Sequence, residues 1–233
     1  MRPDWLKPVI DGAAAITARE LTRFVPPAGF NGRQGAVLML FGEGPQGPDV
    51  LLTERAHHMR SHPGQVSFPG GGLDPGDASP QAAALREAQE ETGLDPAGVD
   101  VFGTLPQLWL PPSNFAVTPV LGWWERESPV SVVDPDEVES VHRTPIAELI
   151  DPAHRITVTH PSGYRSPGFL IGDGKDLILW GFTAGILSRL FDFIGWAQPW
   201  DASVERALPG HMLGGREPGV RPPPTIDFED ELE

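Results

Sequence analysis

Three glutamates stand at i, i+3 and i+4 in the run Arg86-Glu87-Ala88-Gln89-Glu90-Glu91. At about 100° per residue on an α-helix they fall within roughly a third of the circumference. Their carboxylates are then neighbours, and each like-charge pair costs about 0.2–0.5 kcal/mol in an isolated helix. Arg86, four residues before Glu90, offsets part of that repulsion but cannot neutralise three carboxylates. A hard divalent cation can; Mg2+ prefers oxygen donors and leaves positions for water and phosphate oxygens. Taken alone, a run of glutamates is more often a solvated helix face, so the surrounding pattern has to decide.

A second chemistry lies just upstream. Arg55 and Arg60, with His57, His58 and His62, form the densest potentially cationic segment of a chain whose formal charge is −15. Arginine is the side chain suited to bidentate phosphate binding. Without further context these are ordinary surface arginines and neutral loop histidines, and no acid spacing supports a transition-metal site.

With 233 residues and 39% hydrophobic content, the chain can bury one good core, which favours one domain with appendages. The 27 glycines and 27 prolines imply many turns and long loops. Absence of cysteine excludes disulfides, thiolate metal sites and thiol nucleophiles, and is compatible with a cytoplasmic location. The acidic balance argues against a nucleic-acid partner. A phosphate-bearing ligand would need a local basic cluster or bridging cations. Residues 1–10 are no signal peptide. Residues 177–196 are apolar enough to suggest a membrane span, but Ser188, Arg189 and Asp192 are costly in hydrocarbon. A buried amphipathic helix is the better reading, with no membrane partner.

The elements that must position these residues follow from periodicity and punctuation. Residues 11–24 have helical spacing, ended by Pro26-Pro27. Residues 35–41 read as a central strand, joined through a turn at 42–48 to a second strand at 49–54. A long loop covers 56–69. Ser79 is a helix N-cap with Pro80 at the first position, and the helix runs to Thr92 and stops at Gly93. Strands are expected at 99–105, 115–125 and 138–143, a helical turn at 145–150, and a hairpin from 155–160 and 168–171. This divides the chain into a lead-in helix segment (1–34), one domain (35–207) and a Pro/Gly-rich acidic tail (208–233) expected to be disordered. The order gives an α/β (α+β) fold, a mixed sheet sandwiched by helices, without regular βαβ alternation.

Gly70-Gly71 followed by Arg86-Glu87-Ala88-Gln89-Glu90-Glu91-Thr92-Gly93-Leu94 resembles the box of the Nudix hydrolases. Its second half matches throughout, with Ala88 a small version of the aliphatic position. Its first half departs: counting from Gly71, the expected acid falls on Asp77, with one extra residue before Arg86, whereas counting from Gly72 keeps the length but puts Ala78 at the acidic position; the insertion is the preferred reading. The resemblance implies a Nudix-type α/β/α sandwich with a mixed β-sheet. It implies metal ligation by Glu87, Glu90, Glu91 and the Gly70 carbonyl, an outer acidic contact from Asp77, and Arg86 orienting the glutamates. The cofactor implied is Mg2+ or Mn2+.

Residues 51–71 carry a second resemblance, to the motif of coenzyme A pyrophosphatases within the same family. That motif reads Leu-Leu-Thr-x-Arg-Ser-x3-Arg-x3-Gly-x-Val-x-Phe-Pro-Gly-Gly, and every specified position is met except the serine, here Ala56. It implies substrate contacts from Arg55, Arg60, Gly64 and Phe68. The implied reaction is metal-dependent hydrolysis of coenzyme A or acyl-CoA to 4′-phosphopantetheine, or its acyl form, and adenosine 3′,5′-bisphosphate. The general base is not fixed by the motif: Glu87 or Glu90 could serve, as could an acid of 134–139, with Glu137 the first to test. Rivals are hydrolysis of another pyrophosphate such as ADP-ribose or NADH, and an inactive Nudix-fold binding module. The partner is a small molecule, and a homodimer is allowed.

Overall fold

In the computed structural model, which describes residues 1–22, 24–59, 61–110 and 113–213, the central apolar run is the spine of a mixed sheet. It forms β1 (Arg33–Gly44) and turns at Gly47, where φ is +96°, into β2 (Gly47–Arg55). The two pair antiparallel only near the turn, from Phe41↔Val50 to Gly44↔Gly47. Further out they splay, and two short strands fill the gap: β3 (Val66–Ser67) on β2, and β4 (Gly70–Gly72) on β1. The expected loop at 56–69 therefore ends in a strand and delivers the glycines to the middle of the sheet. Helix α3, described below, follows, and then β5 (Val99–Thr104), β6 (Leu108–Leu110) and β7 (Phe115–Trp124). Strand β7 runs parallel to β1, while β5 and β6 add to β7 antiparallel. On the far side, β8 (Val138–Pro145) pairs antiparallel with β2.

Both faces of β1 are buried, which explains its nearly unbroken apolar sequence. Ala36, Leu38 and Leu40 pack against Ala83, Ala84 and Ala88 of the glutamate helix. Met39 and Phe41 point the other way, into a cluster with Leu6, Val9, Leu187 and Phe191. Helices thus cover both faces, as expected of an α/β/α sandwich. The second layer is α1 (Lys7–Ala15), α2 (Ala18–Leu21), α4 (Ile146–Ile150) and α5 (Gly181–Phe193).

Several boundaries differ from expectation for local reasons. The helix expected over 11–24 is broken at Ile16-Thr17, because Thr17 starts a new helix with a capping box closed by Glu20. The apolar segment from 177 is not one helix: Leu177–Leu179 forms β11, and α5 starts only at Gly181, whose φ is +69°. Strand β11 belongs to a second, four-stranded sheet with β9 (Arg155–Thr159), β10 (Arg165–Ile171) and β12 (Glu205–Ala207). The expected tail begins too early. Leu208 and Met212 are buried against Ile156, Val158 and Ile178, and the rest of the tail, 214–233, lies outside the described residues. Among the described residues no helix is long and apolar enough to cross a membrane.

Candidate functional site

Helix α3 (Pro80–Thr92) is delimited by chemistry legible in its ends. Ser79 Oγ accepts from the Ala82 N–H at 3.2 Å, Pro80 occupies the first position, and Gly93 ends the helix at φ +72°. The three buried alanines seat it on β1 and so fix its rotation about its own axis. Glu91 is then 5% exposed, the Glu87 side chain 17% and the Glu90 side chain 58%, so the three expected ligands range from buried to solvent-facing. The Gly70 N–H donates to Glu91 Oε2 at 3.2 Å. Gly71 is glycine for lack of room: a Cβ there would stand 2.5 Å from Glu87 Cδ.

Arg86 knits the loop before the helix to the glutamates. It donates to Asp77 Oδ2 at 3.0 Å, to the Gly72 carbonyl at 3.1 Å and to Glu90 Oε2 at 2.9 Å, and lies 3.0 Å from Glu87 Oε1. These carboxylates raise its already high pKa further, Asp77 foremost. Asp77 is placed differently from expectation. Arg86 takes both its oxygens, the Asp74 N–H adds a bond at 2.8 Å, and its carboxyl is held below the usual range by Arg86. It does not line the cleft with the glutamates and serves instead as the arginine's anchor.

Glu87, Glu90 and Glu91 line a cleft of about 460 Å³ together with Val133, Asp134 and Glu137. The opposing wall is held against the helix by the helix's own last carbonyls. Ser131 N–H donates to Thr92 O at 3.0 Å and Val133 N–H to Glu91 O at 3.2 Å. Glu137, expected from its acidic loop as a candidate base, is thereby brought to the glutamates. Val133, a lining residue that is 54% exposed, carried no signal in the sequence.

Five of the six residues that line the cleft are acids. Burial pushes Glu91 up to about 8, against the pull of the Gly70 N–H and of Arg55, and the charges of Glu87 and Glu137 push the same way as burial. Burial also raises Glu87, partly opposed by Arg86. Among the described residues no three acid or histidine side chains converge into a finished cation cage. Glu90 is turned toward Arg86. The donor set fits a hard divalent ion nonetheless: all-oxygen, multiply anionic, and including a buried carboxylate with one backbone N–H as its hydrogen-bond partner.

The upstream motif divides. Arg55 is half-buried, close enough to Glu91 to draw its pKa down, and its Nε is buried without an acceptor. Its backbone is fixed by Arg55 N–H to Gln65 O and Gly64 N–H to Arg55 O, both 3.0 Å. Gly64 shapes the loop, at φ +65° and in a spot where a Cβ would meet His211 at 2.8 Å. Phe68 corrects the expectation of a substrate contact: it is 1% exposed, inside the cluster with Leu52, Val66 and Phe169. Arg60 lies outside the described residues.

Residues 32–164 match the model of a protein family described as the NUDIX domain. A protein of Cronobacter sakazakii described as "Uncharacterized Nudix hydrolase NudL" is 41% identical over 169 residues, covering 71% of this chain and 84% of its own. An Escherichia coli protein of the same description is 40% identical over the same shares. Among solved structures, a Nudix hydrolase from M. smegmatis, RenU, aligns with a TM-score of 0.46 at 22% identity, covering 71% of this chain and 89% of its own.

Proposed function

The chain belongs to the Nudix hydrolase family, and on that premise we propose that it hydrolyses the pyrophosphate of coenzyme A or acyl-CoA. The observation that carries this reading is the placement of Arg55, from the coenzyme A-type motif, near enough to the buried carboxylate of Glu91 to lower its pKa, with its own Nε buried without an acceptor. A bis-anionic diphosphate suits that pairing: a divalent ion on the acids, a guanidinium on the phosphate.

In this reading Glu87, Glu90, Glu91 and the Gly70 carbonyl hold Mg2+ or Mn2+. The ion would neutralise charge on the diphosphate oxygens and polarise phosphorus toward attack. Arg86, anchored by Asp77, holds Glu87 and Glu90 in register. Glu137 faces the same cleft and takes a proton from the attacking water. Water adds to one phosphorus, the bond from that phosphorus to the bridging oxygen breaks, and the bridging oxygen leaves on the other phosphate. The products would be 4′-phosphopantetheine, or its acyl form, and adenosine 3′,5′-bisphosphate.

Ala56 favours a second reading, another nucleoside diphosphate derivative such as ADP-ribose or NADH. The coenzyme A motif has a serine there, and here the position is fully buried with no hydroxyl. Retention of all three glutamates speaks against a binding module without activity. A mass-spectrometric product assay over coenzyme A, acyl-CoAs, NADH and ADP-ribose, with each metal, separates these. Strong preference for ADP-ribose over coenzyme A would refute the substrate while leaving the metal site standing.

A further inference from the structure

Glu54 occupies an unspecified position of the upstream motif, yet it is 6% exposed and both its carboxylate oxygens are engaged. His57 Nε2 lies 2.7 Å from Oε1, and Ser140 Oγ donates to Oε2 at 2.6 Å. His142 Nε2 lies 2.6 Å from the same Ser140 oxygen. Since the serine's one proton goes to Glu54, His142 is the donor in that contact, and burial holds it below its ordinary pKa. The network therefore has an order: His142 to Ser140 to Glu54, with His57 closing on the other oxygen.

Its location gives it a use. Glu54 sits where the basic loop after β2 meets the acidic loop that lines the cleft and runs into β8. The two loops touch there through Ala56 N–H to Glu137 O at 2.9 Å and His58 to Asp136 at 3.8 Å. Glu54 and Arg55 are adjacent at the end of β2, where its pairing with β8 shifts register, so fixing the first fixes the backbone that aims the second. We propose that Glu54 is a positioning residue: through a charge-assisted bond to His57 it holds Arg55 and its loop in the phosphate-binding arrangement, so that pyrophosphate affinity weakens as His57 loses its proton. This rests on the reading above that Arg55 meets a substrate phosphate.

The groups facing His57 are Glu54 on β2, Glu139 at the start of β8, and His211, stacked on the ring at 4.8 Å. Glu54 raises the pKa of His57, first through the hydrogen bond. The charge-assisted bond is thus fully present below the ordinary histidine value and is lost as pH rises through the raised one. The neutral imidazole keeps a weaker bond, so the effect is graded.

The test is equilibrium binding of ADP by calorimetry, with Ca2+ as the cation, from about pH 6 to about pH 8.5, a range that brackets histidine titration. Wild type is compared with Glu54→Gln and with His57→Gln, which alters a half-exposed side chain and leaves the fold intact if Glu54→Gln does not. Dividing variant by wild-type Kd cancels the ligand's own titration. The expected ratio is about tenfold at the acid end, the size of a lost charged hydrogen bond, shrinking toward one at the alkaline end. In parallel, NMR titration should find the His57 pKa raised in wild type and returned toward the ordinary value in Glu54→Gln. A ratio near one throughout, a ratio that does not change with pH, or a His57 titration unaffected by Glu54→Gln would overturn the proposal. ADP carries neither pantetheine nor a 3′-phosphate, so failure of the coenzyme A assignment in the product assay leaves this outcome independent.

Discussion

Gly71 is the most economical test of how the site is aimed, because the smallest side chain displaces a single carboxylate. A Cβ at position 71 would stand 2.5 Å from Glu87 Cδ and 2.5 and 2.6 Å from its two oxygens. Ordinary contact begins at 3.4 Å, so in Gly71→Ala the carboxylate must retreat by 3.4 − 2.5, roughly 0.9 Å. What must move is the end of a flexible side chain, and Gly71 is not among the glycines with positive φ, so the fold should survive. Catalysis should not: a misplacement of about 1 Å costs on the order of 100-fold, or about 2.7 kcal/mol of transition-state stabilisation. The assay is kcat/KM at saturating Mg2+ beside a thermal melt. Gly72→Ala is the control, since a Cβ there meets nothing within 4 Å. The reasoning is refuted if Gly71→Ala keeps activity within about threefold of wild type, or if Gly72→Ala loses as much.

Two further outcomes follow from burial. Glu91→Gln removes a group that burial makes costly to ionise, so in chelator its melting temperature should equal or exceed that of wild type. The rise in melting temperature on adding Mg2+ should disappear with turnover, and persistence of that rise would remove Glu91 from the ligand set. Phe68→Ala should destabilise by about 3–5 kcal/mol in denaturant titration, as for an aromatic core truncation. A raised KM with unchanged stability would instead restore Phe68 as a substrate contact.

Much of the glutamate helix was legible in the sequence because its determinants are local. Ser79, Pro80 and Gly93 mark its ends through backbone hydrogen bonding and φ, and spacing alone groups the three glutamates. The apolar run of β1, the strand β2 and the turn between them were legible for the same reason. Where local chemistry conflicts with an apolar run, the run misleads: the capping box at Thr17 splits the first helix, and Gly181 separates β11 from α5. Motif membership also overreached at Phe68, since a fixed aromatic serves a core as well as it serves a ligand. Glu54 did carry a signal, a charged residue near the end of an apolar strand, but beside the nearby His57 its other partner, Ser140, is supplied from β8, far away in sequence.

The sequence by itself determined the chemistry on offer: a carboxylate triad at helical spacing, an arginine loop for phosphate, and no thiol. Those follow from residue type and short-range geometry. Only the tertiary structure decided which of the acids share a cleft. Packing of Ala83, Ala84 and Ala88 on β1 sets the rotation of α3, which buries Glu91 and leaves Glu90 in solvent. Bonds from the 131–133 backbone to the end of that helix bring up Glu137, while Arg86 draws Asp77 out of the cleft. Burial and long-range charge, which no spacing encodes, then set how far each carboxylate is from its ordinary pKa.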